Sequence, residues 1–104
     1  MKKKLTTEED YRLRVDRVCM YIREHLDKEI DMRRLAVLSA FSPFHFHRIM
    51  RAYLKEPIGA LIIRTRVETA AKLLRYTDLP VADIAYRVGY DTPSSVSYTH
   101  LRAH

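Results

Sequence analysis

Between Tyr11 and Lys28 the apolar residues fall at Tyr11, Val15, Val18, Cys19, Ile22 and Leu26. That i, i+4, i+7, i+8 spacing predicts a helix with one buried stripe; Arg12, Arg14, Arg17, Arg23 and Glu24 lie mostly off it. Asp31 is a preferred N-cap and opens a short second helix carrying Leu35, Ala36 and Leu38. Ser42-Pro43 reads as an N-cap followed by proline at the first helical position, where the missing N–H has no intrahelical partner to lose. The third helix is expected to run from there to about Leu54. Glu56-Pro57 makes another break, and a long fourth helix follows to about Tyr76, with Ile58, Leu61, Ile62, Ala70, Leu73 and Leu74 inward. Thr77-Asp78-Leu79-Pro80 caps a fifth helix holding Val81, Ile84, Ala85 and Val88. Gly89 ends it, and Asp91-Thr92-Pro93 starts a sixth.

This pattern repeats. Leu35-Ala36-x-x-x-Ala40-Phe41 returns as Ile84-Ala85-x-x-x-Gly89-Tyr90, each followed by a polar cap, a proline and a new helical start. A short helix, a turn with a small residue and a second helix make a helix-turn-helix, here present twice. The expected fold is therefore all-α: two helix-turn-helix, homeodomain-like units joined by a long helix, the second unit incomplete. Residues 1–10 form a basic N-terminal arm, 11–54 the first unit, 55–76 the linker helix and 77–95 the start of the second unit. Residues 96–104 are an atypical tail. Phe41 and Tyr90 are placed to plug the two corners.

Composition narrows the partners. Nineteen Lys and Arg against thirteen Asp and Glu give 104 residues a formal charge of +6, which favours a polyanionic partner, nucleic acid or an anionic membrane surface first. No apolar run approaches the roughly 20 residues that span a bilayer, and no apolar segment follows the basic start, so neither a span nor a secretory signal is read. The single Cys19 cannot form an internal disulfide and suits a reducing, cytoplasmic setting.

Chemistry concentrates on the third helix. Phe46, Ile49, Met50 and Tyr53 form one stripe at i, i+3, i+4, i+7 and are expected in the core. Phe44, His47, Arg48 and Arg51 form a second stripe with the same spacing, about 200° away. An aromatic ring, an imidazole and two guanidiniums suit a DNA groove better than a core. Arg48 is suited to the O6 and N7 of guanine, Phe44 to a thymine methyl, and His47 to a base edge. Arg51, one turn further on, and Ser42 are suited to phosphates. His45 and His47 point to different sides of the helix, and His100 with His104 lacks a third ligand, so no metal or cofactor is expected. Without a Gly-rich loop, a Cys-His pair or paired carboxylates, an enzyme is disfavoured. The competing reading is a helical protein-interaction module, or a truncated fragment, that does not read DNA.

These residues resemble the DNA-binding domain of AraC/XylS-type bacterial transcription regulators. The resemblance is carried by Leu35-Ala36, Phe41-Ser42, His45-Phe46-x-Arg48-Ile49-Met50-Arg51 and Arg66-x-x-x-Ala70-x-x-Leu73-Leu74. Ile84-Ala85-x-x-x-Gly89-Tyr90-Asp91-x-x-Ser94-Ser95 is its most specific stretch, and the whole covers about residues 11 to 95. It implies seven helices, with two recognition helices entering successive major grooves. It also implies base contacts at Phe44, His47 and Arg48, and at Pro93, Ser94 and Ser95. Contact with RNA polymerase, and a missing C-terminal effector-binding domain, are implied as well.

Three positions depart from that family. Ala40 stands where the first turn has glycine. Lys55 stands where glycine ends the third helix, so that helix is expected to end one or two residues later, before Pro57. After Ser95 the family has a phenylalanine, another four residues on, and a final helix; here Val96 and His100 stand there. Val96–His104 instead resembles the translation of a transposase end sequence used to tag DNA libraries, and the tail is expected to be foreign, joined to a truncated reading frame. The second unit is then expected to be frayed, while helices one to four stay folded.

Overall fold

The structure, a computed structural model, describes residues 4–90. Five α-helices account for the regular structure among the described residues: α1 (Thr7–Glu24), α2 (Met32–Ser39), α3 (Pro43–Leu54), α4 (Ile58–Tyr76) and α5 (Val81–Arg87). None is long and apolar enough to cross a membrane. The expected sixth helix, Pro93, Ser94, Ser95 and the tail from Val96 lie outside the described residues.

The first helix is displaced at both ends from its sequence reading. It starts at Thr7, because Thr6 and Glu9 form a capping box. The Thr6 hydroxyl accepts from the Glu9 N–H at 3.1 Å, and the Glu9 carboxylate accepts from the Thr6 N–H at 2.9 Å. Residues 7–10 therefore belong to α1 rather than to an arm. At the other end the helix stops at Glu24, four residues short of Lys28. The His25 ring stacks on Tyr21 at 3.9 Å, and its Nδ1 donates to the Tyr21 carbonyl at 2.8 Å. That takes the acceptor a further α-helical turn would use, and the His25 backbone N–H turns to Ile22 instead. Leu26 is still buried, in the loop rather than on the helix.

The caps of the next two helices fall where the sequence places them. Asp31 accepts from the Arg33 N–H at 2.9 Å, and Ser42 accepts from the Phe44 N–H at 3.2 Å. The third helix does not run past Lys55. It ends at Leu54, and Lys55 itself takes the left-handed conformation, φ 65°, with its N–H donating to the Arg51 carbonyl at 2.9 Å. Ala40 does the same at the first turn, φ 61°. Two non-glycine residues thus hold the conformation that glycine adopts without a Cβ penalty.

One core unites the first four helices. Val15, Val18, Ile22 and Leu26 meet Leu35 and Ala36, Phe41, Phe46 and Met50, and Ile58, Leu61 and Ile62. Each large side chain so buried contributes about 1.5–3 kcal/mol. Phe41 plugs the first corner edge-on to Tyr11 at 4.9 Å. Beneath it the fully buried Ser39 donates to the Ala36 carbonyl at 2.7 Å and accepts from the Phe41 N–H at 3.1 Å, so its buried hydroxyl is satisfied as both donor and acceptor.

The α1 arginines reach over the same turn. Arg14 donates to the Ala40 carbonyl at 3.3 Å, pairs with Asp10 at 3.0 Å and lies 5.1 Å over the Phe41 ring. Arg17 donates to the Leu38 carbonyl at 3.4 Å. Helix α5 packs separately against α4, burying Ile84 and Val88. Leu74 does not turn inward as expected: it is 57% exposed, while Ala70 and Leu73 are half-buried. Leu73 and Leu74 are about 100° apart on the helix, so packing from the described residues covers one without the other.

Candidate nucleic-acid interface

Helix α3 carries the two faces its periodicity predicts. Phe46 and Met50 are buried, with Ile49 and Tyr53 half-buried beside them. On the opposite side Phe44, His47, Arg48 and Arg51 are exposed, Phe44 at 94%. One exposed apolar residue is ordinary on a protein surface. This one stands in the first turn of a helix whose same face holds an imidazole and two guanidiniums, and the helix contains no carboxylate.

The charge on that face is uncompensated. The ion pairs among the described residues are Arg14 with Asp10, and Arg64 with Glu56 and Glu68. Hydrogen bonds donated to Glu56 raise the already high Arg64 value, so that guanidinium is committed to its carboxylates. Arg48 and Arg51 of α3 are exposed without such pairing among the described residues, as are Arg33 and Arg34 of α2.

Arg48 is held by a neighbour that sequence reasoning passed over. Its Nη2 donates to His45 Nδ1 at 2.6 Å across an i, i+3 step. A guanidinium has only donors, so Nδ1 accepts and the ring proton sits on Nε2. The signal was the His-x-x-Arg spacing itself, which places both side chains on one side of a helix. His47 is oriented differently, its ring meeting Phe46 edge-on at 5.2 Å.

Arg51 and His47 face a shallow depression of about 310 Å³ whose rim also includes Met32, Pro57, Ile58 and Gly59. It lies where the start of α4 approaches α3, and no side chain caps α4 there. Ser42 is exposed beside the start of α3; capping occupies an oxygen lone pair and leaves its hydroxyl hydrogen to donate. Elsewhere, burial pushes the thiol of the half-buried Cys19 up, which favours the inert protonated form.

A sequence model of a family described as a helix-turn-helix domain matches residues 35–103, past Ser95, where the motif-by-motif resemblance ended. Regulatory protein SoxS of Escherichia coli K12 is 31% identical over 82 residues, covering 79% of this chain and 77% of SoxS. The HTH-type transcriptional regulator YbfP of Bacillus subtilis is 30% identical over 89 residues, 86% of this chain; the chain spans 30% of the length of YbfP. Among solved structures, the DNA-binding domain of AdpA, crystallised with a target DNA, superposes with a TM-score of 0.66 at 29% identity. That match covers 85% of this chain and 79% of the AdpA chain. With its first helix-turn-helix, its long linker helix and its outward basic face, the chain belongs to the AraC/XylS-type helix-turn-helix family.

Proposed function

We propose that this chain is the sequence-specific DNA-reading part of an AraC-type transcription regulator, with α3 lying in a major groove. The outward face of α3 carries the reading: an exposed aromatic, an imidazole and two arginines at helical spacing, on a surface without compensating carboxylates. Arg48 reads guanine through O6 and N7, and His45 holds its guanidinium extended for that contact. Each Nη carries two hydrogens, so the bond to His45 leaves donors for the base. Phe44 packs on a thymine methyl and His47 meets a base edge. Arg51 and Ser42 bind phosphates, which fix register and carry no sequence information.

The division into a first unit ending at residue 54, a linker helix and a second unit from residue 77 is part of this reading. So are base contacts by Pro93, Ser94 and Ser95, contact with RNA polymerase, a C-terminal effector-binding domain in the whole regulator, and action in the bacterial cytoplasm. The partner is double-stranded DNA, and no cofactor enters the chemistry.

The test begins with selection of a preferred duplex from a random pool. Arg48→Ala is expected to cost about 1–3 kcal/mol on that duplex and little on random DNA. Arg51→Ala is expected to weaken both alike and to lower the salt slope by about one. Equal losses for Arg48→Ala on both duplexes would make Arg48 a phosphate contact. Absence of salt-dependent binding to any duplex would refute the DNA reading outright.

A further inference from the structure

The corner after α5 does not rest on α4 alone. Its Gly89 is buried with φ 90°, and a Cβ built there would stand 2.1 Å from the Leu26 carbonyl oxygen in the loop after α1. The same Cβ would stand 2.9 Å from Arg66 Nε and 3.1 Å from Arg66 Cζ. Arg66 comes from the middle of α4, and its Nη2 donates to the Lys28 carbonyl at 3.3 Å, 38 residues away. One guanidinium therefore touches the α1 exit loop and the α5 corner from the helix that joins them. Its Nε is buried without a hydrogen-bond partner.

Apolar contact alone constrains this junction weakly. Helix α5 and its corner bury two large side chains, Ile84 and Val88, and hydrophobic attraction has no preferred direction. A guanidinium is planar and its donors are fixed in a fork, so it specifies an angle where an aliphatic contact does not. Glycine at position 89 lets the backbone come down on that plane.

We propose that Arg66 is a positioning residue that sets the angle between the α1–α3 unit and the α5 corner. The Arg66 stem spans the gap, its Nη2 anchors on the Lys28 carbonyl, and the Gly89 backbone rests against the guanidinium. A buried polar atom left unsatisfied at such a junction is costly, and a fixed orientation is what the junction gains. For DNA this angle sets the distance between α3 and the helix expected after Gly89, and so the spacing of the two subsites read together. That last consequence rests on the DNA-reading proposal; the angle itself does not.

The experiment reads the angle without DNA. Spin labels at the exposed Ala52 of α3 and Ala82 of α5, in the full chain with Cys19→Ala, report a distance distribution by pulsed electron double resonance. The parent is expected to give one narrow distribution. Arg66→Met keeps the aliphatic stem and removes the donors; the width is expected to grow about twofold while amide protection in α1–α3 stays unchanged. Arg66→Lys, which reaches the Lys28 carbonyl without a plane, is expected to recover less than half of that broadening. An unchanged width in Arg66→Met would overturn the proposal, and a full recovery with lysine would overturn the role of the guanidinium plane. Failure of the parent to bind DNA would refute the functional reading and leave the label result standing.

Discussion

Lys55→Gly is expected to make the protein more stable, although it removes a side chain from the end of α3. Lys55 sits at φ 65° and ψ 17°, and the left-handed region costs an L-residue about 1–2 kcal/mol. Glycine escapes that cost but loses more chain entropy on folding, about 0.5–1 kcal/mol. The hydrogen bond from the residue 55 N–H to the Arg51 carbonyl is a backbone bond and survives the change. The difference leaves a gain of about 0.5–1 kcal/mol, which for a domain of this size raises the melting temperature by about 2–8 °C. Urea and thermal unfolding followed by far-ultraviolet circular dichroism measure it. Lys55→Ala is the control, because alanine keeps the strained φ and loses the side chain beyond Cβ. A glycine variant no more stable than the parent would refute the reasoning. An alanine variant that gained as much would assign the effect to loss of the lysine side chain rather than to relief of the backbone.

Gly89→Ala is expected to cost about 1–3 kcal/mol, because its Cβ meets the Leu26 carbonyl oxygen at 2.1 Å and φ is positive. Hydrogen exchange should show protection lost in α5 and kept in α3; equal loss in both would refute that localisation. Met50→Ala, at a position with no exposure, is expected to cost about 2–5 kcal/mol in urea unfolding, and a loss under 1 kcal/mol would show the site collapsing around the cavity. Cys19 titrates above its ordinary value of 9.0 because of burial, so both folded and unfolded thiols are protonated below that pH. Stability is therefore expected to be constant below about pH 9 on account of this group and to fall as pH rises through the folded value, a slope that Cys19→Ala removes. A thiol alkylated as fast in the folded chain as in urea would contradict that shift.

What the sequence made legible were features set by near neighbours. The two stripes of α3 follow from spacing within one helix, and Asp31, Ser42 and Pro43 mark helix starts because capping acts over two or three residues. Phe41 as the corner plug was readable from the repeat. The early end of α1 was not, because the His25 ring competes for a carbonyl that periodicity assigns to the backbone. Lys55 looked like a residue that must lengthen α3, since lysine is seldom left-handed; the tertiary turn into α4 overrides that preference. Leu74 has a helix-inward position by pattern and no wall among the described residues. The meeting of Arg66, Lys28 and Gly89 joins segments far apart in the chain, a distance over which spacing rules carry no information. At the candidate interface, Phe44, His47, Arg48 and Arg51 share the outward side as read, while the bond that orients Arg48 was signalled only by an i, i+3 spacing that many helix pairs share without bonding.

Arg14 has a consequence for anyone treating the α2–turn–α3 segment as a transplantable part. The carbonyl of left-handed Ala40 and the face of Phe41 are both occupied by a side chain from α1, itself tethered by Asp10. Phe41 also finds its aromatic neighbour, Tyr11, on α1. A graft of residues 31–55 into another scaffold would carry every residue proposed to touch DNA in this unit and the Ser39 brace within the turn, but none of the α1 side chains that hold the elbow from behind. The smallest portable form of this unit therefore begins at the Thr6 cap, a boundary set by the back of the molecule rather than by the face proposed to meet DNA.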